Sequence, residues 1–144
     1  GVSSFLPAHL EQLEKASLPI PAVNQFEINP LNNQIEETLY NQNKGIHVEA
    51  YASFGTTRAT ESASNDILGN EDIIKIGEAH GKNPSQVVLR WTVQRGISVI
   101  PRSKSRKHLA DNLDIFDFSL SDEEMERINA LNQNRYSRSD PHKE

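Results

Sequence analysis

Apolar and polar positions along the chain predict short strands alternating with amphipathic helices. Apolar runs of strand length are separated by helix-length stretches with one apolar face, the pattern of successive βα units around a parallel sheet. The last predicted strand, Ile97–Pro101, is almost continuously apolar, which is typical of a strand covered on both faces. The predicted strands are Gly1–Ser3, Pro21–Ile28, Ile46–Ala52 and Ile97–Pro101.

Local signals mark several boundaries of the predicted helices. Asn83 followed by Pro84 favours a helix start, because asparagine caps a helix N-terminus and proline suits the first helical position. Ser121 with Glu124 forms a capping box, and Gly45 is a plausible C-cap. The predicted helices are Leu6–Ala16, Asn33–Asn43, Glu71–His80, Asn83–Arg95, Lys107–Phe116 and Ser121–Leu131.

Two polar stretches lie outside these elements. The loop from Ser53 to Asn70 is long enough to suggest a function, and the tail Asn132–Glu144 is expected to be mobile.

The whole chain is expected to be a single partial domain of 144 residues, whereas a closed eight-stranded barrel needs about 250. The length of the chain therefore predicts about half of a barrel. Because the first residue falls inside a predicted strand, we expect the chain to be truncated. A doubly wound four-stranded sheet is the alternative, although it would lack the glycine-rich first turn of a dinucleotide fold.

Composition excludes several classes of function. A net charge of −5 argues against a general nucleic-acid binder. Because the chain has no cysteine, it can form neither a disulfide nor a sulfur-ligated metal site, which fits a reducing compartment such as the cytoplasm. No apolar run approaches the ~18 residues that span a bilayer, so no membrane association is expected.

A basic segment, Pro101–Lys107, follows the last predicted strand directly. It lies between the carboxyl end of a strand and a helix N-terminus, where free backbone N–H groups and the helix dipole favour an anion. Arginine can also form paired hydrogen bonds to phosphate oxygens. The segment therefore predicts a site for a compact phosphate, and a solvated basic turn is the alternative interpretation.

Six segments resemble, in order and spacing, the aldo-keto reductase family. The family's fold is a (β/α)8 TIM barrel, and the resemblance implies that this chain is its C-terminal half, from the end of the fifth strand to the last helix. The segments are GVSSF, AVNQFEINPL, VEAYASFG, NPSQVVLRWTVQRG, VIPRSKS and ADNLDIFDFSLSDEEM.

The resemblance implies a nicotinamide site at the first three strand ends. Ser3 and Gln25 match residues that hydrogen-bond the nicotinamide carboxamide, and Tyr51 matches the aromatic residue that stacks on the ring. Taken alone, Gln25 could be a buried amide and Tyr51 a core residue. Ser4 stands where the family usually has asparagine, and Ala52 departs from the usual serine, which alters contacts to the carboxamide and pyrophosphate.

The resemblance also implies a site for the rest of an NADPH molecule. Arg102, Ser103 and Ser105 match the pocket for the adenosine 2′-phosphate, which favours NADPH over NADH. His108 replaces the arginine that usually completes this pocket, so a permanent charge becomes one that titrates near neutrality. Lys104, Arg106 and Lys107 are expected to compensate for this change. The remaining implied contacts are adenine at Asp111 and Asn112, pyrophosphate at Gly55, Thr56 and Thr57, and a substrate-bordering loop at Arg135–Pro141, for which a disordered end is the alternative.

The family reduces aldehydes or ketones to alcohols, with a proton-donating tyrosine tuned by a lysine, an aspartate and a histidine. All four belong to the first four strands, and none of their motifs occurs here; a lone histidine such as His47 is more often structural. We therefore expect the cofactor-binding half of a reductase. It would need a missing N-terminal half, a complementary chain or a second copy to cover its open strand edges. The alternatives are a non-catalytic nucleotide-binding or regulatory module and a non-functional truncation product.

Overall fold

The strands form one parallel sheet. The computed structural model describes residues 1–55, 66–137 and 140–143, and within these the sheet has the order β1-β2-β3-β4. Every strand is parallel to its neighbour. The sequence thus predicted the alternation and the parallel pairing correctly. The strands are β1 (Val2–Ser3), β2 (Val23–Glu27), β3 (His47–Tyr51) and β4 (Ser98–Val99).

The helices agree with the sequence in their interiors and differ at some ends. Capping boxes at Asn83 and Ser121 confirm two predicted helix starts. The second helix starts two residues later than predicted, because the Asn33 side chain binds the carbonyl of Asn129 and Gln34 has a φ of 49°. The helices are α1 (Pro7–Lys15), α2 (Ile35–Asn43), α3 (Glu71–His80), α4 (Pro84–Gln94), α5 (Arg106–Leu113) and α6 (Asp122–Asn129).

None of the described helices combines the length and apolarity needed to cross a membrane. The 3-10 turn Pro141–Lys143 follows near the end of the chain.

The core lies between one face of the sheet and the helices. Phe26, Val48 and Ala50 point from this face into a cluster that includes Ile76 and the fully buried Trp91. Side chains alternate along a strand, so the intervening residues point to the opposite face. The apolar face therefore packs the helices, and the other face is free to carry polar side chains.

Trp91 links α4 to two other parts of the fold. Its indole Nε1 donates a hydrogen bond to Oδ1 of Asn129 over 2.9 Å. The guanidinium of Arg95 lies 4.6 Å from the centroid of the Trp91 ring and donates to the carbonyl of Asn33 over 2.7 Å. Desolvation by burial lowers the pKa of Arg95 to about 10. These contacts connect the end of α6 and the loop after β2 through one buried ring.

A tight turn joins α3 to α4. Gly81 has a φ of 65°, and the Lys82 N–H donates to the carbonyl of Gly77 over 2.9 Å, as in a Schellman motif. A Cβ atom on Gly77 would lie only 2.4 Å from the Lys82 carbonyl oxygen. Lys82 also extends its Nζ to Asp114 and Asp117, at 2.8 Å and 2.7 Å. Glycine at position 77 therefore allows the turn to approach α3 and to reach the segment after α5.

The described beginning of the tail, which the sequence predicts to be mobile, docks on the loop and strand end near β2. The N–H groups of Gln133 and Arg135 both donate to the carbonyl of Leu31, over 2.9 Å and 3.1 Å. Ser137 then donates both its N–H and its hydroxyl to Oε1 of Glu27, each over 2.8 Å. The polar groups of this segment therefore find acceptors on the loop and strand end near β2.

Candidate functional site

A row of polar residues crosses the face of the sheet opposite the helices. Ser3 pairs with Gln25, Gln25 with Glu49, and Glu49 with Ser98, so the four residues occupy one register line across four strands. Gln25 and Glu49 are half-buried, and the Gln25 Nε2 atom donates to Glu49 Oε1 over 2.6 Å. The structure therefore brings together two predicted site residues, Ser3 and Gln25, and adds Glu49 to them.

A second pair lies on the same face, nearer the carboxyl end of the strands. Glu27 is opposite Tyr51 in the register of β2 and β3. Glu27 is only 1% exposed and accepts hydrogen bonds from Ser137 and, over 3.2 Å, from Asn29. Tyr51 is half-buried beside it. Catalytic and binding residues of barrel enzymes lie at this end of the strands, so the predicted position of Tyr51 is chemically suitable.

The residues that directly follow β1 and β3 adopt the left-handed backbone conformation. Ser4 has a φ of 55° and Ala52 a φ of 53°. The Ser4 N–H donates to the carbonyl of Gln25 over 2.9 Å, and the Ala52 carbonyl accepts from Asn29 Nδ2 over 3.3 Å. Left-handed residues other than glycine cost about 1–3 kcal/mol each and cluster at functional sites. Asparagine tolerates this conformation better than serine does, so Ser4 is the less favourable residue at its position.

Gly55 continues the turn after β3. Its φ is 74°, and its N–H donates to the carbonyl of Ala52 over 2.9 Å. The predicted contacts at Thr56 and Thr57 lie outside the described residues. Gly55 therefore marks the start of the predicted loop, and the structure describes it only to that point.

A small cavity opens next to these turns. It is lined by residues from β2, from the end of β3, from the turn after β1 and from the tail, including Ser4, Glu27, Tyr51 and Tyr136. The Tyr136 hydroxyl accepts a hydrogen bond from Nε2 of Gln34. Burial is the largest cause of a raised pKa for Tyr136, which keeps its hydroxyl protonated. The tail thus contributes an aromatic wall beside the position of Tyr51.

The basic segment follows β4 and leads into α5. Ser105 is the N-cap of α5, and its Oγ accepts from the His108 N–H over 3.4 Å. The hydroxyl of Ser103 accepts from the Ser105 N–H over 3.1 Å, which folds the segment back on itself. Arg102 and Lys104 are exposed, and within the described part of the chain neither side chain is hydrogen-bonded or ion-paired. Two cationic groups are therefore available beside a capped helix N-terminus.

The predicted adenine contacts lie farther along α5. Asp111 and Asn112 share one helix face with His108, the residue predicted to complete the phosphate pocket, and His108 is exposed. Asp111 is already engaged, because Lys107 Nζ lies 2.9 Å from its carboxylate and Asn83 Nδ2 donates to it over 3.4 Å. Asp111 therefore ties α5 to the start of α4, and a ligand would compete with these bonds.

Sequence analysis missed Glu27 and Glu49. Both alternate with predicted site residues at the two-residue period of a strand, Glu27 after Gln25 and Glu49 before Tyr51. That signal places them on the same face. Their partners, however, depend on the register between strands and on the docking of the tail.

The chain is similar to carbonyl-reducing enzymes over most of its length. Residues 1–133 match the model of the Aldo/keto reductase family. Glyoxal reductase of Bacillus subtilis is 40% identical over 133 residues, with 92% of this chain and 45% of that protein covered. D-galacturonate reductase of Fragaria ananassa is 38% identical over 135 residues, covering 94% and 42%. The chain thus spans about half the length of the curated relatives it matches.

Solved structures show the same similarity in three dimensions. A crystal structure of a Bombyx mori aldo-keto reductase in complex with NADP matches with a TM-score of 0.88 and 33% sequence identity. The match covers 96% of this chain and 46% of the silkworm protein. The parallel α/β arrangement is therefore shared with enzymes of this kind.

Proposed function

This chain belongs to the aldo/keto reductase family, and we propose that it forms the NADPH-binding C-terminal half of a (β/α)8 reductase of aldehydes or ketones. The main support for this proposal is the polar row formed by Ser3, Gln25 and Glu49. Tyr51 lies on the same face of the sheet, and the basic segment after β4 lies at the same edge. Parallel strands bring their carboxyl ends to one edge, where a single extended ligand can contact all of them.

The distribution of the helices supports a barrel over a doubly wound sheet. In a doubly wound fold helices cover both faces of the sheet, whereas in a barrel they form an outer ring around it. Here α3, α4 and α6 pack on the face of Phe26, Val48 and Ala50, and α2 reaches Asn24 on the same face through Asn41. The opposite face carries the polar row, as the interior of a barrel with a site at one end would.

The residues at the nicotinamide end fit that ligand. Ser3 and Gln25 supply a hydroxyl and an amide to orient a carboxamide, and Tyr51 supplies an aromatic face for stacking. When bound, NADPH supplies the hydride that reduces a carbonyl carbon. The role of this chain is to hold the ring in one orientation, since hydride transfer depends on alignment with the acceptor.

The basic segment fits a phosphate monoester. Arg102 and Lys104 are exposed and unpaired among the described residues, and the Ser105 cap marks the positive end of the α5 dipole. The hydroxyls of Ser103 and Ser105 already accept hydrogen bonds from N–H groups of the segment and of α5. We therefore propose that these serines fix the shape of the segment and that Arg102 and Lys104 supply the positive charge for the phosphate. This favours NADPH over NADH, because only NADPH carries the 2′-phosphate.

The two edges of the sheet need cover. Large apolar side chains are exposed outside the core: Leu18 and Ile20 follow α1, Leu113 ends α5 and is 75% exposed, and Phe116 follows it and is 69% exposed. Such patches mark interaction sites. We propose that a complementary half-barrel, on the same chain, a separate chain or a second copy, covers them and contributes the proton donor.

Equilibrium binding tests the cofactor proposal. Titration with NADPH and NADH, followed by nicotinamide fluorescence, should show tighter binding of NADPH. Arg102→Ala should remove on the order of 10-fold to 100-fold of that preference, the size of a charge-assisted bond to phosphate. Lys15→Ala, an exposed cation at the end of α1, is the matched control and should leave the preference unchanged. Equal affinity for both nucleotides would contradict the proposal.

Catalysis tests the half-barrel proposal separately. With NADPH and a simple aldehyde, the chain should turn over only when a half-barrel carrying the missing catalytic residues is supplied. Turnover by the chain alone would show that its own residues include a proton donor.

A further inference from the structure

We infer that Glu49 is a positioning residue that fixes the amide orientation of Gln25, so that Gln25 offers a carbonyl oxygen, and not an N–H group, to its ligand. The inference rests on the proposed cofactor site and deepens it. It states which end of the Gln25 amide faces the ligand, and it gives a role to Glu49, a half-buried carboxylate on the polar face of the sheet.

The first step is the relative position of the two side chains. Gln25 and Glu49 are directly opposite in the register of β2 and β3, and both point to the polar face. Neighbouring strands are about 4.8 Å apart, so side chains in register are held close together by the backbone. The Gln25–Glu49 contact therefore follows from the sheet itself and does not depend on a flexible loop.

The second step is the chemistry of the contact. An ionised carboxylate only accepts hydrogen bonds, whereas an amide has one donating and one accepting end. The bond from Gln25 Nε2 to Glu49 Oε1 is 2.6 Å long. Rotating the amide by 180° would place two oxygens against each other and lose a charge-assisted bond, which favours the observed orientation by on the order of 10-fold to 100-fold.

The third step is what remains available on Gln25. Within the described residues, Gln25 Oε1 accepts no hydrogen bond, while its Nε2 is bonded to Glu49. The free acceptor lies on the same register line as the Ser3 hydroxyl. A carboxamide bound here would donate its N–H to Gln25 and turn its carbonyl towards a donor such as Ser3, which selects one orientation of the nicotinamide ring.

Other groups on this face do not provide the same constraint. His47 and Ser98 are bonded to each other through Nε2 and Oγ, and within the described residues neither side chain is bonded to Gln25. Ser98 occupies the register position beyond Glu49. Ser98→Ala is therefore a matched control, since it alters the same row without removing the partner of Gln25.

The binding test uses NADP and its 3-acetylpyridine analogue, in which a methyl group replaces the carboxamide NH2. The wild-type chain should bind NADP about 10-fold more tightly than the analogue, because only NADP can donate to Gln25 Oε1. In Glu49→Ala the Gln25 amide can rotate and donate to the carbonyl that both ligands share, so the ratio should fall towards 1. Glu49→Gln keeps the shape of the side chain, but its amide can donate to Gln25 as well as accept from it, so it should also lower the ratio, whereas Ser98→Ala should keep it.

A second measurement needs no ligand. In the ¹⁵N–¹H spectrum of the chain, one side-chain amide proton of Gln25 should resonate downfield and move upfield in Glu49→Ala. An unchanged Gln25 resonance, or an unchanged NADP-to-analogue ratio in Glu49→Ala, overturns the role of Glu49. Failure of the wild-type chain to bind either nucleotide instead overturns the proposed cofactor site, and the amide resonance then still decides whether Glu49 orients Gln25.

Discussion

Replacing Gly77 by alanine tests whether tight packing against the following turn outweighs the gain in helix propensity at this position. Gly77 lies inside α3, where alanine is favoured over glycine by about 1 kcal/mol. The added Cβ would, however, lie 2.4 Å from the Lys82 carbonyl oxygen and 3.3 Å from Cγ2 of Val87. Overpacking costs about 1–3 kcal/mol, and a backbone carbonyl held in a turn cannot rotate away, so the upper part of that range applies. We expect Gly77→Ala to lower the free energy of unfolding by about 2 kcal/mol.

Urea unfolding of the chain, followed by circular dichroism, measures this change. With a denaturant slope of about 2 kcal/mol per molar, the midpoint should fall by about 1 M. Glu78→Ala is the matched control, because residue 78 is exposed on the same helix and should change stability by no more than about 0.5 kcal/mol. A Gly77→Ala chain as stable as the wild type, or more stable, would refute the packing argument.

Three further predictions concern buried polar contacts. Glu27→Ala removes the acceptor for the tail, so trypsin should cleave after Arg135 faster than in the wild type; equal cleavage rates would contradict the docking. Desolvation raises the pKa of Glu124, but the stronger combined effect of hydrogen bonds from His80 and a backbone N–H lowers it below its usual value. Its stabilisation should therefore be present at neutral pH and vanish as the pH falls through the lowered pKa, measured as the stability difference from Glu124→Gln. Asn129→Leu leaves the Trp91 indole N–H without its acceptor and should cost about 1–3 kcal/mol in urea unfolding; a neutral result would mean that the indole finds another acceptor.

Elements with strong local signals could be predicted from the sequence. α4 begins where Asn83 and Pro84 predict it, because the capping interactions involve only residues within one turn. The predicted bounds of α3 are those of the structure, with an asparagine cap and a left-handed glycine after its last residue. Local chemistry determines such boundaries, and so the sequence alone contains them.

Features that depend on distant residues could not be predicted in the same way. β4 spans only Ser98 and Val99, although the apolar run is longer; the Ile100 N–H still donates to the Ala50 carbonyl over 3.4 Å, but its side chain is 47% exposed. Glu49 was visible as a polar residue at strand period, but its bond to Gln25 follows from inter-strand register. The bond between Glu27 and Ser137 joins residues 110 positions apart, and no local pattern indicates it.

The order of the strands bears on how the chain folds as it is synthesised. Each strand pairs with the one that precedes it along the chain, so every new βα unit can add to the edge left by the previous one. The paired residues lie 22 positions apart for Ser3 and Gln25 and 49 apart for Glu49 and Ser98, and long-range parallel pairings of this kind form slowly. The bonds from Ser137 to Glu27 break this pattern and can form only after the last helix has emerged. Closure of the wall beside Tyr51 therefore depends on completion of α6, which makes the mouth of the cavity the last part of the described chain to assemble.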